Sequence, residues 1–266
     1  MPYLAKILLY PIKSLDGVEV SQTQILPSGA LKCDRKFAIF DPQNKFVNGK
    51  RNPKIHLLRS HFNLDKQTVS LQIPHIGTKD FHLDLDRESL TKAFSDFFGM
   101  TVRIKDNPVM GFPDDTKSPG PTIISTATLT EVASWFPGMS VEQLRRRIRA
   151  NLEIDDVPAF WEDRLFTDTG NTISLRIGDT LFLGVNPCQR CIVPVRNPET
   201  GQAYEHFQKI FVSQRQKTLP PWVNKSRFNH FYKLSVNTRI SPLTPSHVLS
   251  VGDRIEIISS AKTDYL

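Results

Sequence analysis

This sequence of 266 residues has few cysteines and no long apolar run. Three cysteines are too few for the disulfide framework that stabilises small secreted domains. No apolar stretch approaches the roughly 20 residues that cross a bilayer, and the apolar residues after Met1 precede no small-residue cleavage site. These absences predict a protein of the reducing cytoplasm, without a signal peptide and without a membrane-bound part.

Motifs of several enzyme classes are absent as well. The sequence has no GxGxxG, no Walker A lysine loop, no GxSxG elbow and no HExxH. Its seven histidines are scattered without the spacing of metal ligands. Four acidic residues have no partner suited to acid–base catalysis, and a solvated loop is the expected setting for Asp155, Asp156, Glu162 and Asp163.

The composition is that of a globular protein with a basic surface. Hydrophobic residues make up 39% and charged residues 23% of the chain, which is long enough for one large domain or two modest ones. A formal net charge of +7 permits nucleic acid, an anionic membrane surface or a phosphorylated small ligand as partner. Charge alone does not choose among these partners or exclude a merely basic surface.

Short strands separated by turns dominate the first third of the chain, as in a small barrel or sandwich. One apolar helix face follows, made of Leu90, Phe94, Phe97 and Phe98. Gly99 is a suitable end for this helix. The predicted strands lie at residues 5–10, 18–25, 36–40, 45–47, 56–58, 62–64, 69–73, 81–85 and 101–105.

A turn-rich linker at residues 112–121 suggests a division into two domains, 1–115 and 116–266. In the second domain, Thr128 with Glu131 and Ser140 with Gln143 fit capping boxes at the start of helices.

Strand-turn-strand patterns occur twice in the second domain. They lie at residues 175–183 and 251–257, and two such hairpins suit a barrel.

Two cysteines in one turn are the strongest chemical signal. Cys188 and Cys191 follow an apolar strand, and Arg190 lies beside the second thiol. A thiolate is a soft metal ligand and a strong nucleophile, and a neighbouring cation favours the charged form. Three interpretations of the pattern remain open. It could be half of a zinc knuckle, although no second cysteine pair exists, or a thioredoxin-like redox pair, although residues 192–195 after it are predicted to be extended. It could also be two ordinary buried thiols.

Basic residues form a second signal. Arg145, Arg146, Arg147 and Arg149 share one helical stretch, which is typical of a solvated face or a nucleic-acid patch. One helix cannot point all four the same way, so at least one should face inward, toward a core or an anion. A barrel brings strand ends together, so cations at strand ends, such as Lys13 and Arg35, would converge with them on a phosphate or pterin.

Taken together, four motifs resemble those of the MOSC-domain proteins that carry an N-terminal β-barrel domain. Within this family, the chain is most similar to the mitochondrial amidoxime reducing component and to bacterial YcbX-like proteins. The motifs are Tyr10-Pro11-Ile12-Lys13-Ser14, Asp34-Arg35 with Phe37, Arg149-Ala150-Asn151, and Cys188-Gln189-Arg190-Cys191 followed by Pro198-Glu199-Thr200-Gly201. The resemblance implies an α+β, β-rich fold, in which the N-terminal β-barrel domain packs on a MOSC β-barrel domain with peripheral helices.

The resemblance further implies a molybdenum cofactor, with Cys191 as the protein ligand of molybdenum. The positions that bind the pterin and its phosphate would be Lys13, Ser14, Arg35, Arg149, Asn151 and Arg190. The implied reaction is the two-electron reduction of N-hydroxylated compounds such as amidoximes, hydroxylamines and N-hydroxylated bases. The family is also associated, in general terms, with pyridoxal phosphate binding.

Electrons are expected from a separate protein, because the chain ends at Leu266 without the cysteines of a ferredoxin domain. A ferredoxin, a flavoprotein reductase or a cytochrome b5-like protein would suit, whereas a membrane or nucleic-acid partner is not expected.

Departures from the family motifs concern substrate choice more than cofactor binding. Phe-Arg-Pro-Asn is replaced by Ile148-Arg149-Ala150-Asn151, and the acidic start of a later turn is replaced by Asn197. Two alternative functions remain: a sulfur carrier that holds a persulfide on Cys191, and a basic barrel that binds nucleic acid. A structural protein with buried thiols would leave Lys13, Arg35 and Arg149 unexplained as a set.

Overall fold

The computed structural model describes residues 1–244 and 247–262, with side chains as far as residue 258. Four α-helices lie in this part: α1 (Arg87–Phe98), α2 (Thr126–Ser134), α3 (Val141–Ile148) and α4 (Phe207–Lys217). Short 3-10 helices occur at Pro53–Leu57, Trp161–Leu165, Val193–Val195 and Lys225–Arg227. The strands are β1 (Tyr3–Leu9), β2 (Val18–Val20), β3 (Gln22–Gln24), β4 (Phe37–Phe40), β5 (Arg59–Asn63), β6 (Thr68–Ile73), β7 (Gly77–His82), β8 (Arg103–Asp106), β9 (Ile123–Ser125), β10 (Leu152–Asp155), β11 (Asn171–Ile177), β12 (Thr180–Gln189), β13 (Lys233–Ile240), β14 (Val248–Ser250) and β15 (Ile255–Lys262).

One large sheet forms the centre of the molecule. Its strand order is β15-β11-β12-β13-β9-β10-β1-β2. Backbone bonds of 2.8 Å, from Leu4 N to Asp253 O and from Gly252 N to Leu4 O, join β1 to the turn that precedes β15. The sheet therefore curls into a barrel, which leaves few unpaired strand edges and encloses an apolar core.

A second core lies in the N-terminal half. The sheet β5-β6-β7 and the pair β4-β8 pack with α1, which buries Leu90, Phe94 and Phe98. Gly99 adopts a left-handed conformation with φ of 68° and donates its N–H to Ser95 O. Only a residue without Cβ adopts this conformation freely, so the predicted helix and its glycine end are both confirmed.

The first strand belongs to the central sheet rather than to the N-terminal core. In β1, Leu4 pairs with Ile154 and Ile7 with Leu152 of β10. The two halves of the chain therefore share a backbone-bonded sheet. The division into 1–115 and 116–266 stays a prediction.

Several predicted strands differ in the structure. Residues 45–47 form only an isolated bridge, between Phe46 and Phe40, and residues 83–85 lie beyond the end of β7. Residues 18–25 form two short strands, of which β2 pairs with β1 and β3 pairs with β14 in another sheet. Residues 56–58 were expected to be extended, but Pro53–Leu57 is a 3-10 helix. Asn52 caps this helix by accepting a bond of 3.2 Å from Lys54 N, and Pro53 suits the first helical position.

The predicted helix starts had different outcomes. The Ser140 and Gln143 capping box is confirmed, with both reciprocal bonds present. The box predicted at Thr128 is wrong, because Ser125 caps α2 and accepts a bond of 3.1 Å from Thr128 N.

Of the two predicted hairpins, the one at residues 175–183 is confirmed as β11 and β12. The one at 251–257 is wrong, because β14 pairs with β3 whereas β15 pairs with β11. The fold as a whole is α+β and β-rich, as predicted.

Candidate functional site

A cavity of about 600 Å³ lies where the central sheet meets the N-terminal half of the chain. Its wall is built from strand ends, the end of α3, the residues before β9 and the turn after β12. All seven residues predicted for the site line it: Lys13, Ser14, Arg35, Arg149, Asn151, Arg190 and Cys191. The expected convergence of cations from distant strand ends is therefore present.

The cavity wall is strongly basic. Ten lysines and arginines line it against five aspartates and glutamates. Low-dielectric walls that carry one predominant sign of charge concentrate counter-ions. An anionic ligand is therefore the electrostatically favoured occupant.

Tyr10 organises two of the arginines. The guanidinium groups of Arg149 and Arg35 lie 4.1 and 5.0 Å from the centre of its ring. Tyr10 in turn donates a bond of 3.2 Å to Ala150 O. Arg35 pairs with Asp34, whereas Arg149 Nη2 is buried and has no hydrogen-bond partner among the described residues. Burial lowers the pKa of Arg149, so a bound anion would relieve an existing electrostatic cost.

Three residues of this wall have unusual backbone conformations. Ser14, Arg35 and Arg149 adopt positive φ angles of 73°, 48° and 57°. Each such residue costs about 1–2 kcal/mol when it carries a side chain, and such residues are enriched at functional sites. Arg149 reaches this conformation as the C-terminal cap of α3, where its N–H bonds to Arg145 O at 2.9 Å.

Lys13 fastens the segment predicted as a linker over the cavity. Its buried ammonium donates to Phe112 O at 2.9 Å and to Asp114 Oδ1 at 2.7 Å. Burial lowers the pKa of Lys13, and Asp114 opposes that shift. Residues 113–115 and 118–120 consequently form part of the cavity wall.

Asn151 holds its neighbours in position through a buried carboxamide. Nδ2 donates to Leu8 O at 3.0 Å, while Oδ1 accepts from Arg35 Nη1 and Thr122 N, each at 3.3 Å. These bonds connect β1, the start of β9 and the guanidinium of Arg35.

The cysteine turn closes the other side of the cavity. Both thiols are free and half-buried. Cys188 Sγ accepts a bond of 3.3 Å from Arg190 Nη1, and Cys191 Sγ accepts one of 3.5 Å from Val193 N. Arg190 also donates from Nη2 to Ile148 O, which attaches the turn to the end of α3.

The open alternatives for this turn are now narrower. Residues 193–195 form a 3-10 helix, so the prediction of an extended segment there is wrong. This 3-10 helix is far shorter than the helix that follows the cysteines in a thioredoxin-like motif. Within residues 1–244 and 247–258, no group of three or more His, Cys, Asp or Glu side chains is arranged to hold a metal ion. A complete protein-only zinc site is therefore excluded in that part of the chain.

The arginine helix has the predicted inward member. Arg147 is buried and donates from Nη1 to Pro194 O and Val195 O, both at 2.9 Å, and so supports the residues after Cys191. Arg145 bonds to Glu153 at 2.6 Å, and Arg146 bonds to Glu199 at 2.6 Å. Partners within the protein therefore engage most of this cluster, which weakens its interpretation as a nucleic-acid patch.

Sequence reasoning missed His56, which no motif marks. The side chain is only 8% exposed, lines the cavity, and its Nε2 has no partner among the described residues. A Cβ added at Gly49 would lie 2.8 Å from His56 Nε2 and 3.2 Å from Val193 Cγ2. Gly49 therefore lets the backbone pack closely between the histidine and the cysteine turn.

His56 should make the protein sensitive to acid. Burial, with Arg149, Arg196 and Arg59, lowers its pKa from 6.5 to about 4, and Asp16 only partly opposes this. The unfolded chain then binds the proton more tightly, so this contribution to stability is complete above pH 6.5 and is lost as the pH falls toward 4. The loss is about 3 kcal/mol at most. His56→Gln should flatten the unfolding free energy between pH 6.5 and 4, measured with urea, whereas His61→Gln, at an exposed site, should not.

Two of the four acidic residues do not lie in a solvated loop. Glu162 and Asp163 are 1% and 3% exposed. Glu162 accepts a bond of 3.0 Å from Thr128 Oγ1, and burial together with Asp163 raises its pKa to about 7. Asp163 pairs with the buried Arg215. This cluster lies outside the cavity wall, so its first role is in packing.

Among the described residues, no helix combines the length and the apolar character needed to cross a membrane.

Comparison with known proteins agrees with the predicted resemblance. The MOSC N-terminal beta barrel domain matches residues 1–138, and the MOSC domain matches residues 122–256. Molybdenum cofactor sulfurase of Danio rerio is 25% identical over 235 residues, which cover 71% of this chain and 27% of that protein. Molybdenum cofactor sulfurase 3 of Aedes aegypti is 35% identical over 85 residues, or 32% of this chain and 11% of that protein.

This chain therefore spans only about a quarter, or less, of the curated relatives that it matches. A solved structure described only as a hypothetical protein superposes with a TM-score of 0.41 and 12% identity, over 97% of this chain and 68% of the other. That similarity is too low to define a shared fold. Since each of the two family models matches more than half of the 266 residues, the chain belongs to the MOSC family, in the form that carries the N-terminal beta barrel domain.

Proposed function

We propose that this protein binds the molybdenum cofactor in the basic cavity and reduces N-hydroxylated compounds such as amidoximes, hydroxylamines and N-hydroxylated bases. The observation that carries the proposal is one cavity whose wall combines a half-buried thiol, Cys191, with cations from four distant segments. The names of the sulfurase relatives support the association with this cofactor.

The side chains of the wall fit such a ligand. Guanidinium and ammonium groups suit a phosphate, and thiolate suits a soft, high-valent metal. Arg149 Nη2 is buried without a hydrogen-bond partner among the described residues, so it could donate to a phosphate oxygen of the ligand. Lys13, Ser14, Arg35, Arg149 and Arg190 would bind the pterin and its phosphate, with Asn151 orienting Arg35.

The chain itself would orient and shield the reacting groups. Cys191 would be the metal ligand, and the Val193 N–H already donates to its sulfur. Arg147 supports the following turn through two backbone oxygens, so that the thiol has a fixed direction. When bound, the cofactor would supply the two-electron reducing chemistry.

The decisive measurement is metal and pterin analysis of protein made in a host that synthesises the cofactor. We expect stoichiometric molybdenum and the fluorescence of oxidised pterin. Arg149→Met should lower both strongly, while Lys79→Met, at an exposed position of β7, should leave both unchanged. Wild-type protein without molybdenum or pterin under these conditions would refute the proposal.

A sulfur carrier is the second candidate. Two free, half-buried thiols in one turn and the sulfurase names of the relatives favour it. A carrier needs a mobile and accessible thiolate rather than a metal-bound one. A persulfide on Cys191 found by mass spectrometry, in protein without molybdenum, would support the carrier instead of the reductase.

A reductase of this kind needs a source of electrons. We propose a separate donor protein of the ferredoxin, flavoprotein reductase or cytochrome b5-like type.

A further inference from the structure

A basic loop without acidic residues forms one rim of the cavity. No aspartate or glutamate occurs between Asp41 and Asp65. Within this stretch Lys50, Arg51 and Lys54 are exposed; Arg51 pairs with Asp41 at 3.3 Å, and Lys50 also lines the cavity. Asn48 holds the loop, since its Oδ1 accepts from Lys50 N at 3.1 Å and from Arg51 N at 3.2 Å. The positive charges are therefore held on a folded surface.

This loop packs on the segment that follows the cysteine turn. Gly49 lies against both His56 and Val193, and a Cβ at Gly201 would lie 3.1 Å from Pro53 O. The basic loop therefore contacts Val193, which lies two residues after Cys191 in the chain.

Two large apolar side chains next to residues of the cavity wall remain exposed. Leu57, next to His56, is 38% exposed, and Ile192, next to Cys191, is 39% exposed. His56 and Val193, the chain neighbours of Leu57 and Ile192, both lie against Gly49. Isolated exposed apolar residues are ordinary, but apolar side chains and cations exposed on segments that line one cavity are typical of a small, transient docking surface.

From these contacts we infer that Arg51, Lys54, Leu57 and Ile192, with Lys50 at the cavity edge, form the docking surface for an acidic electron-transfer protein. This inference rests on the proposed reductase function, because it names the partner that would serve that cavity. Cations around an apolar centre complement a partner with acidic side chains around its redox centre.

Charge complementarity at such a rim acts mainly on the rate of association. Each turnover would take two electrons from the donor, which is oxidised, and two protons from solvent. The N–OH bond of the substrate breaks, an N–H bond forms and water is released. Nucleic acid is the less suitable occupant, because this surface contains no aromatic side chain on which bases would stack.

The test compares two doubly substituted proteins of equal charge. Lys54→Glu with Arg51→Gln changes the rim, and Lys66→Glu with Lys79→Gln changes exposed positions around β6 and β7. The probe donor is an acidic [2Fe–2S] ferredoxin, and a reduced viologen dye serves as a donor that needs no docking surface.

At low ionic strength the rim variant should lose about tenfold or more in kcat/KM for the ferredoxin. The loss should shrink as salt screens the charges. Activity with the dye should be unchanged, and the control variant should match the wild type with both donors. Binding of the ferredoxin, measured by titration without substrate, should weaken in the rim variant alone.

Three results would overturn the inference: unchanged ferredoxin binding in the rim variant, an equal loss with dye and ferredoxin, or a rim that binds single-stranded DNA at physiological salt more tightly than ferredoxin. Failure of the proposed function is distinguishable from these. It would leave the loaded wild type inactive with the dye, while the binding titration would still decide whether the surface docks an acidic protein.

Discussion

Cys191→Ser is expected to abolish the reduction of N-hydroxylated substrates, with a loss of about three orders of magnitude or more in kcat. A hydroxyl is a harder and far less acidic ligand than a thiol, so it would not replace a thiolate at a soft metal centre. The fold should survive, because the Cys191 side chain is half-buried and accepts one long bond, from Val193 N at 3.5 Å. Activity and molybdenum content should be measured on the same preparation.

Cys188→Ser is the matched control, because it removes the other thiol of the same turn. Cys188 accepts a bond from Arg190 rather than from the residues after the turn. We therefore expect Cys188→Ser to lose about 10- to 100-fold in activity, as is usual when a residue that supports a metal ligand is changed. If the Cys191 variant retained wild-type activity, or if the two variants were equally impaired, the assignment of Cys191 as the ligand would be wrong.

Arg215→Met is expected to lower the free energy of unfolding by about 3–5 kcal/mol. Arg215 is almost completely buried, pairs with Asp163, and lies 4.3 and 5.1 Å from the ring centres of Phe160 and Phe228. Burial raises the pKa of Asp163, and Arg215 opposes this shift. Methionine has a similar volume but leaves the carboxylate buried without its cation, which is the costly outcome.

Urea unfolding at neutral pH would measure this loss, with Lys92→Met as control. Lys92 pairs with Asp96 on the exposed face of α1, and such pairs contribute about 0.3–0.5 kcal/mol. Adding Asp163→Asn to the Arg215 variant should recover part of the lost stability, because it removes the unpaired charge. A loss below about 1 kcal/mol in the single variant would contradict a buried, strongly coupled pair.

Local signals in the sequence predicted local structure well. Gly99 ends α1 and the Ser140 box begins α3, because both depend on residues within one helical turn. The capping prediction at Thr128 failed for a related reason. Ser125 offers the same oxygen three residues earlier, and the strand before it decides where the helix begins.

The candidate site was predicted only in part. Its seven residues were identified from motif order and family resemblance, and the structure brings them to one cavity. His56 was not predicted, because its burial and its lowered pKa depend on residues that are not its neighbours in the sequence. These are Gly49, which packs against it, and the arginines that lower its pKa. Glu162 and Asp163 were assigned to solvent, because their burial depends on partners 34 and 52 residues away.

The sequence by itself determined the family, the end of α1, the start of α3 and seven of the groups that line the cavity. Tertiary structure alone decided which of these groups face one another. β1 pairs with a strand almost 150 residues later, and that pairing brings Tyr10, Arg35 and Arg149 together. Hydrogen-bond register and burial are long-range properties that no short motif encodes, so the basic cavity follows only from the folded chain.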